Sequence, residues 1–274
     1  MQRRLFVSIH KAWLKLLFSS FAVSDREWAE KLYDYSEIIY NHLRFIKTIY
    51  ALKNIEYSYE RPAVELNFKT EGEVAKFCDK ALECIQDQID DSGSDPLAKR
   101  VLSDLDFIRS TLKCEFKRNK KVTAFDKSLM LDEIVLEKSS LDTLIMFLFE
   151  ESYKEYELII VYSYAETIVE DKRLSEIFQI LIDESKFHLK SFARMMAKMG
   201  ILAVPRMVTQ EIYKFKSLKR FLEDSIEEEK SAKEQCKALA KAIDNEGLQS
   251  FFDFINSQED YHITLLQEAL ERLE

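Results

Sequence analysis

Two stretches of the chain decide the fold: Glu155 with Asp183-Glu184-Ser185-Lys186-Phe187-His188, and Glu229 with Glu259-Asp260-Tyr261-His262. In each, a glutamate lies 30 residues before a position that is followed three residues later by a histidine. Residues three apart share one face of a helix, so Glu259 and His262 point to the same place. Helical hairpins that each present a glutamate opposite a carboxylate–histidine pair can assemble a two-metal site in the core of a helix bundle.

The second stretch carries this whole pattern, whereas the first has Ser185 where the carboxylate should be. Histidine is scarce, with 4 in the chain, and His188 and His262 fall at matching offsets among apolar neighbours. The alternative interpretation is that both are ordinary half-buried histidines and that the glutamates face solvent.

Composition indicates an all-α protein with an ample core. Of 274 residues, 47% are hydrophobic, and only 4 are glycine and 3 proline, so helix breakers are few. The net charge of −9 argues against a nucleic-acid-binding protein, which needs a basic face. The cysteines form no CxxC pair, which argues against a zinc ribbon or a rubredoxin-type iron centre. We expect no membrane span and a cytoplasmic location.

Helical periodicity predicts two similar halves, each built as hairpin, long crossover and hairpin. We interpret them as two tandem four-helix bundles: a first domain at 1–120, a linker helix within 121–139, and a second domain at 140–274. A repeat of this length indicates duplication of a whole domain. The predicted helices are 4–22, 25–53, 71–90, 96–117, 140–171, 173–199, 217–244 and 247–273.

Residues 140–273 resemble the ferritin-like superfamily, rubrerythrins especially, and residues 1–120 resemble it only by layout. The resemblance implies an up-down-down-up bundle with one long crossover that binds two iron or manganese ions. It implies Glu155 and Glu229 as terminal ligands, Glu259 as a bridging ligand, His188 and His262 as imidazole ligands, and Tyr162 as a neighbour of the site. The residues that carry it are Glu155, Tyr162-Ser163-Tyr164, Leu174, Ile182-Asp183-Glu184, His188, Glu229 and Glu259-Asp260-Tyr261-His262.

Position 185 departs from that family, which places a bridging glutamate where this chain has Ser185. Glu184 lies four residues before His188 and also shares its face, so it is a candidate replacement. Without it, three carboxylates and two histidines remain, enough for one metal ion or for two held more weakly. The candidate metal ligands are Glu155, Glu184, His188, Glu229, Glu259 and His262; no catalytic residue is assigned.

The first half is expected to be a scaffold without a metal site. Asp106 and Arg109 stand where the last carboxylate and histidine would be, and we expect them to form an ion pair three residues apart. Ile39 stands three residues before His42, so no carboxylate accompanies that histidine. We interpret Glu71 and His42 as relics of a lost site.

The expected function is a non-haem di-iron or di-manganese oxidoreductase that reacts with peroxide or oxygen or oxidises iron. Since no CxxC pair is present, electrons must come from a separate electron-donor protein. A homodimer is an expected assembly, and neither nucleic acid nor membrane is an expected partner. Two alternatives remain: a metal-free helical interaction protein that has lost part of the site, and an oxygenase acting on an organic substrate.

Overall fold

The computed structural model describes residues 2–89, 95–113, 121–122 and 136–273, and these form helices connected by extended segments. The all-α prediction is confirmed, and the described residues contain no strand beyond one isolated bridge between Thr70 and Lys121. The helices are α1 Gln2–Ala22, α2 Arg26–Leu52, α3 Glu71–Gln86, α4 Pro96–Lys113, α5 Lys138–Ile168, α6 Lys172–Lys198, α7 Gln210–Tyr213, α8 Leu218–Ala242 and α9 Glu246–Glu271.

The chain divides into two compact units. Unit 1 comprises Met1–Asp126 with Gly200–Gln210, and unit 2 comprises Lys127–Met199 with Glu211–Glu274. Residues 200–210, which lie within the predicted second domain at 140–274, belong to unit 1, and the predicted linker 121–139 is divided between the two units. The domain assignment stays a prediction. The predicted linker helix falls largely on residues outside the described ranges.

Both units use the same order of helix pairing. In unit 1, α1 packs on α2 and α3, and α4 packs on α3 and α2. In unit 2, α5 packs on α6 and α8, and α9 packs on α8 and α6. In each unit the pairings join four helices, each of them to two others. The tandem bundles and the duplication stay predictions. The assignment of either unit to a named bundle family stays a prediction.

Helix α1 is the apolar centre of unit 1. Its segment Arg4–Ala22 is long and apolar enough to cross a membrane by length and composition, yet 67% of that window is buried inside the protein. The side chains of Phe6, Ile9, Trp13 and Leu16 are completely buried. Helix α1 therefore contributes much of the interior of unit 1.

Local chemistry explains where the helices begin and end, with some differences from the predicted boundaries. The N-cap of α2 is Asp25 and not the neighbouring Ser24, because the Asp25 carboxylate accepts hydrogen bonds from the backbone N–H groups of Glu27 and Trp28. Helix α5 begins after Glu137, two residues earlier than the predicted start at residue 140. Helix α6 ends before Gly200, whose φ of 75° stops the helix. The short helix α7 was not predicted.

Replacing Asp25 with alanine is expected to lower the free energy of unfolding by about 1 kcal/mol, because two backbone donors of α2 lose their acceptor. The matched control is Ser24→Ala, which should be nearly neutral, since Ser24 contributes its backbone N–H, to Glu71, and that group survives the substitution. Urea unfolding of the three proteins measures both effects. A larger loss for Ser24→Ala would return the capping role to Ser24.

Candidate metal centre

The interior of unit 2 holds a cluster of ionisable side chains contributed by all four long helices. Glu155 comes from α5, His188 from α6, Glu229 from α8, and Glu259 and His262 from α9. None of the five exposes more than 6% of its surface. Charged groups are seldom buried so completely unless they are paired or bind a metal ion.

Helical spacing puts these residues in the core because each replaces an apolar residue in a buried stripe. On α5 the buried positions Leu148, Ser152, Glu155, Ile159 and Tyr162 follow one another at intervals of three or four residues. This spacing keeps one side of a helix turned toward its neighbours, so the carboxylate is buried by its position in the stripe. Phe252, Ile255, Glu259, His262 and Leu266 form the same kind of stripe on α9.

One group of ligand atoms surrounds Nδ1 of His188. This nitrogen lies 3.0 Å from Glu155 Oε1 and 3.6 Å from Glu259 Oε1. A second group surrounds Nδ1 of His262, which lies 3.1 Å from Glu259 Oε2 and 3.6 Å from Glu229 Oε1. Within each group the ligand atoms lie within 4.8 Å of one another, a spacing that could accommodate a metal ion.

Glu259 belongs to both groups and presents a different oxygen to each histidine. The two imidazole rings are 5.6 Å apart between centroids. A carboxylate whose two oxygens face two histidine nitrogens is arranged to bridge two cations, which is the role predicted for Glu259 from the family resemblance.

The second nitrogen of each imidazole contacts a different residue. His188 Nε2 lies 3.1 Å from the side-chain oxygen of Gln258, and His262 Nε2 lies 2.5 Å from Glu184 Oε2. Glu184 was predicted to act beside His188, but the structure places it against the outer nitrogen of His262 and in neither ligand group. Glu184 lies one helical turn before His188, where α6 packs on α9, so its carboxylate contacts the imidazole of His262. Sequence reasoning missed Gln258, although it precedes His262 by four residues as Glu184 precedes His188.

The run Glu227-Glu228-Glu229 presents three carboxylates at adjacent positions of α8. Glu229 is buried while Glu227 and Glu228 are exposed, so Glu229 is the residue that faces the cluster. The Tyr162 hydroxyl donates a hydrogen bond of 3.3 Å to Glu229 Oε1, as expected for a neighbour of the site. Burial, followed by the charge of Glu229, raises the pKa of Tyr162 well above its usual value, so the hydroxyl keeps its proton.

Two buried oxygen atoms of the cluster have no hydrogen-bond partner among the described residues: Glu155 Oε2 and Ser185 Oγ. Ser185 is completely buried and lies three residues before His188 on the same helix face. An unpaired buried carboxylate oxygen is costly, and a cation would satisfy it. The donor set of carboxylates and imidazoles also fits iron or manganese.

Without metal the cluster holds protons at neutral pH. Burial lowers the pKa of His188, but the neighbouring Glu155 outweighs this and raises it to about 9. Burial likewise opposes the charge on His262, yet its hydrogen bonds to Glu184 and Glu259 and the nearby carboxylate of Glu229 raise the pKa of His262 to about 12. Burial and the hydrogen bond with Glu229 raise the pKa of Glu259 to about 8. Burial favours the neutral form of Glu229 too, but its bonds to Glu259 and His262 lower its pKa to about 2, so the two carboxyls share one proton.

In unit 1 the residues that stand at the corresponding positions form ion pairs and hydrogen bonds with neighbouring helices and loops. The predicted pair of Asp106 with Arg109 is wrong: Arg109 binds Asp79 at 2.6 Å and Glu83 at 3.0 Å on the neighbouring α3. Arg109 therefore reaches across to α3, where two carboxylates are available, and not along its own helix. His42 Nε2 lies 3.1 Å from Asp104, and Glu71 accepts the backbone N–H of Ser24.

No family model, curated protein or solved structure matches the chain. The fold and site geometry of this chain therefore carry the functional argument alone.

Metal-free protein is expected to lose stability as the pH rises from 6.5 to 8.5. The folded pKa values of His188 and His262, about 9 and about 12, exceed the unfolded value of 6.5. The stabilisation that the two histidines contribute is therefore complete below pH 6.5 and is lost as the pH rises through their folded pKa values. The raised pKa of Glu259, about 8, acts in the same direction. The free energy of unfolding should fall by about 1.4 kcal/mol per pH unit for each proton that only the folded state retains.

Urea unfolding in the presence of EDTA measures this slope. The control is His188→Gln, which removes one such proton and should flatten the slope by about 1.4 kcal/mol per pH unit. A stability that is constant or rises over this range would show that the cluster does not hold these protons.

Proposed function

We propose that unit 2 binds two divalent transition-metal ions, iron or manganese, and that the protein is a non-haem oxidoreductase of the di-iron carboxylate type. The observation that carries the proposal is the pair of buried ligand groups joined through Glu259. Glu155 and His188 would complete one site, and Glu229 and His262 the other. A ferritin-like relationship accounts for this arrangement, and the matching pairing order of the helices supports it.

Each residue has a definite task in this proposal. Carboxylates neutralise the charge of the cations, and the two Nδ1 atoms supply neutral nitrogen ligands once their protons have left. Gln258 and Glu184 accept hydrogen bonds from the Nε2 atoms, which directs the Nδ1 lone pairs toward the carboxylates. Tyr162 orients Glu229 by donating a hydrogen bond from its hydroxyl group to one carboxylate oxygen.

Two ferrous ions held by Glu155, Glu229, Glu259, His188 and His262 would supply the two electrons that, with two protons, reduce one hydrogen peroxide to two water molecules. In continuous turnover the two electrons must be returned, and we propose that a separate electron-donor protein returns them. The buried stripe around the cluster keeps bulk water from the ligands and so strengthens their electrostatic interaction with a cation.

Anaerobic loading with ferrous iron, followed by desalting and elemental analysis, tests the metal assignment. About two iron ions per chain are expected for the unaltered protein, as in other bundle-core carboxylate sites. Glu259→Gln should retain fewer than one, because the residue serves both groups. Glu227→Gln is the matched control on α8: its carboxylate is exposed and should leave the iron content unchanged.

The same three proteins test the reaction. Addition of peroxide or oxygen to the iron-loaded protein should produce ferric iron, followed by its ultraviolet absorbance, faster than in protein-free buffer. Glu259→Gln should lose at least tenfold in rate, and Glu227→Gln should match the unaltered protein. Retention of iron without accelerated oxidation would defeat the oxidoreductase assignment while leaving the metal site intact.

A metal-free interaction protein is the second candidate, and Ser185 is the observation that favours it. With that carboxylate missing, the remaining side chains already pair with one another: His188 with Glu155 and His262 with Glu259 and Glu184. Failure to bind iron, manganese or cobalt, with no change in melting temperature, would select this candidate.

A further inference from the structure

We infer that the two metal sites are unequal and fill in order: the site of Glu229, Glu259 and His262 binds first and more tightly, and the site of Glu155, Glu259 and His188 binds second. Glu184 and Gln258 set this order as positioning residues. The inference rests on the proposed metal-binding function and deepens it.

The two histidines are supported by residues in equivalent places. Glu184 precedes His188 by four residues on α6 but contacts His262 of α9. Gln258 precedes His262 by four residues on α9 but contacts His188 of α6. The Nε2 atom of each histidine is thus contacted by a residue of the helix that carries the other histidine.

The two supporting residues differ in charge. The carboxylate of Glu184 lies 2.5 Å from His262 Nε2, whereas a neutral amide oxygen of Gln258 lies 3.1 Å from His188 Nε2. Hydrogen bonds to a charged acceptor are shorter and about twice as strong as neutral ones. A carboxylate behind a ligating histidine also makes the imidazole a better donor to the metal. His262 is therefore the stronger ligand of the two.

Charge around the rings favours the same site. Three carboxylates, Glu184, Glu229 and Glu259, lie within 3.6 Å of the ring nitrogens of His262. Two carboxylates, Glu155 and Glu259, lie within that distance of His188. Glu259 is common to both sets. The Tyr162 hydroxyl withdraws some charge from Glu229, but at 3.3 Å its neutral hydrogen bond is weak beside the full charge of Glu184.

The serine at position 185 increases the difference between the two dissociation constants, because it weakens binding of the second cation. The carboxylates that belong to the ligand groups are Glu155, Glu229 and Glu259, with a combined charge of −3 when ionised. One divalent cation leaves this set at −1, and a second brings it to +1. The second cation is therefore drawn in much less strongly than the first, because a fourth carboxylate is missing at Ser185.

Anaerobic titration with Co²⁺, followed by its visible absorbance and by calorimetry, tests the order. We expect two phases whose dissociation constants differ at least tenfold. Glu155→Gln should remove the second phase and Glu229→Gln the first, which assigns each phase to its site.

Two matched exchanges of the supporting residues then test the cause. Glu184→Gln gives both histidines a neutral acceptor and should weaken the first phase ten- to a hundredfold while changing the second less than threefold. Gln258→Glu should tighten the second phase and leave the first nearly unchanged. Circular dichroism checks the folding of both variants, and because the second exchange is a predicted gain, misfolding cannot imitate it.

The possible results separate this inference from the function on which it rests. Absence of Co²⁺ binding by the unaltered protein overturns both. Two equivalent sites, or variants that change both phases equally, would overturn the ordered filling while leaving the dinuclear site in place.

Discussion

The structure of unit 2 depends on one constraint: five ionisable side chains lie in the core, and each must have its charge balanced. A buried, unpaired charge costs several kcal/mol, so the five must stay together as a set. Glu259 is the residue that joins them, because its two oxygens face the two histidines. The ring of α5, α6, α8 and α9 brings the five to one level, and the apolar stripes above and below exclude water from them.

The cluster has two ways to satisfy this constraint, and they differ in pH dependence. Protons on both histidines and on the Glu229–Glu259 pair balance the charge without metal, which favours the metal-free state at low pH. Divalent cations take the place of those protons when they are released, so metal affinity should rise with pH. Glu155 Oε2, which has no hydrogen-bond partner within the described part of the chain, is satisfied only in the second way.

Much of this could be predicted from the sequence because helical periodicity is a strong local signal. The scarcity of glycine and proline predicted the helices, and the spacing of Glu259 and His262 predicted that two candidate ligands share one helix face. The contact of Glu184 with His262 could not be predicted from the sequence. Residues three and four positions before His188 share one face of α6, and only the packing of α6 on α9 decides which histidine Glu184 contacts. The same limit applies to Arg109, whose partners on α3 are distant in sequence, and to Asp25, which competes with Ser24 as a cap.

The most direct test of the central claim is a crystal structure of the protein grown with Mn²⁺ and recorded at a wavelength where manganese scatters anomalously. Two anomalous peaks, about 3.5–4 Å apart as in other two-metal sites, are predicted on either side of the Glu259 carboxylate. Each should lie within bonding distance of a histidine Nδ1, with Glu184 and Gln258 still in contact with the Nε2 atoms. Absence of a peak, or a metal bound through Nε2 or Glu184, would contradict the account.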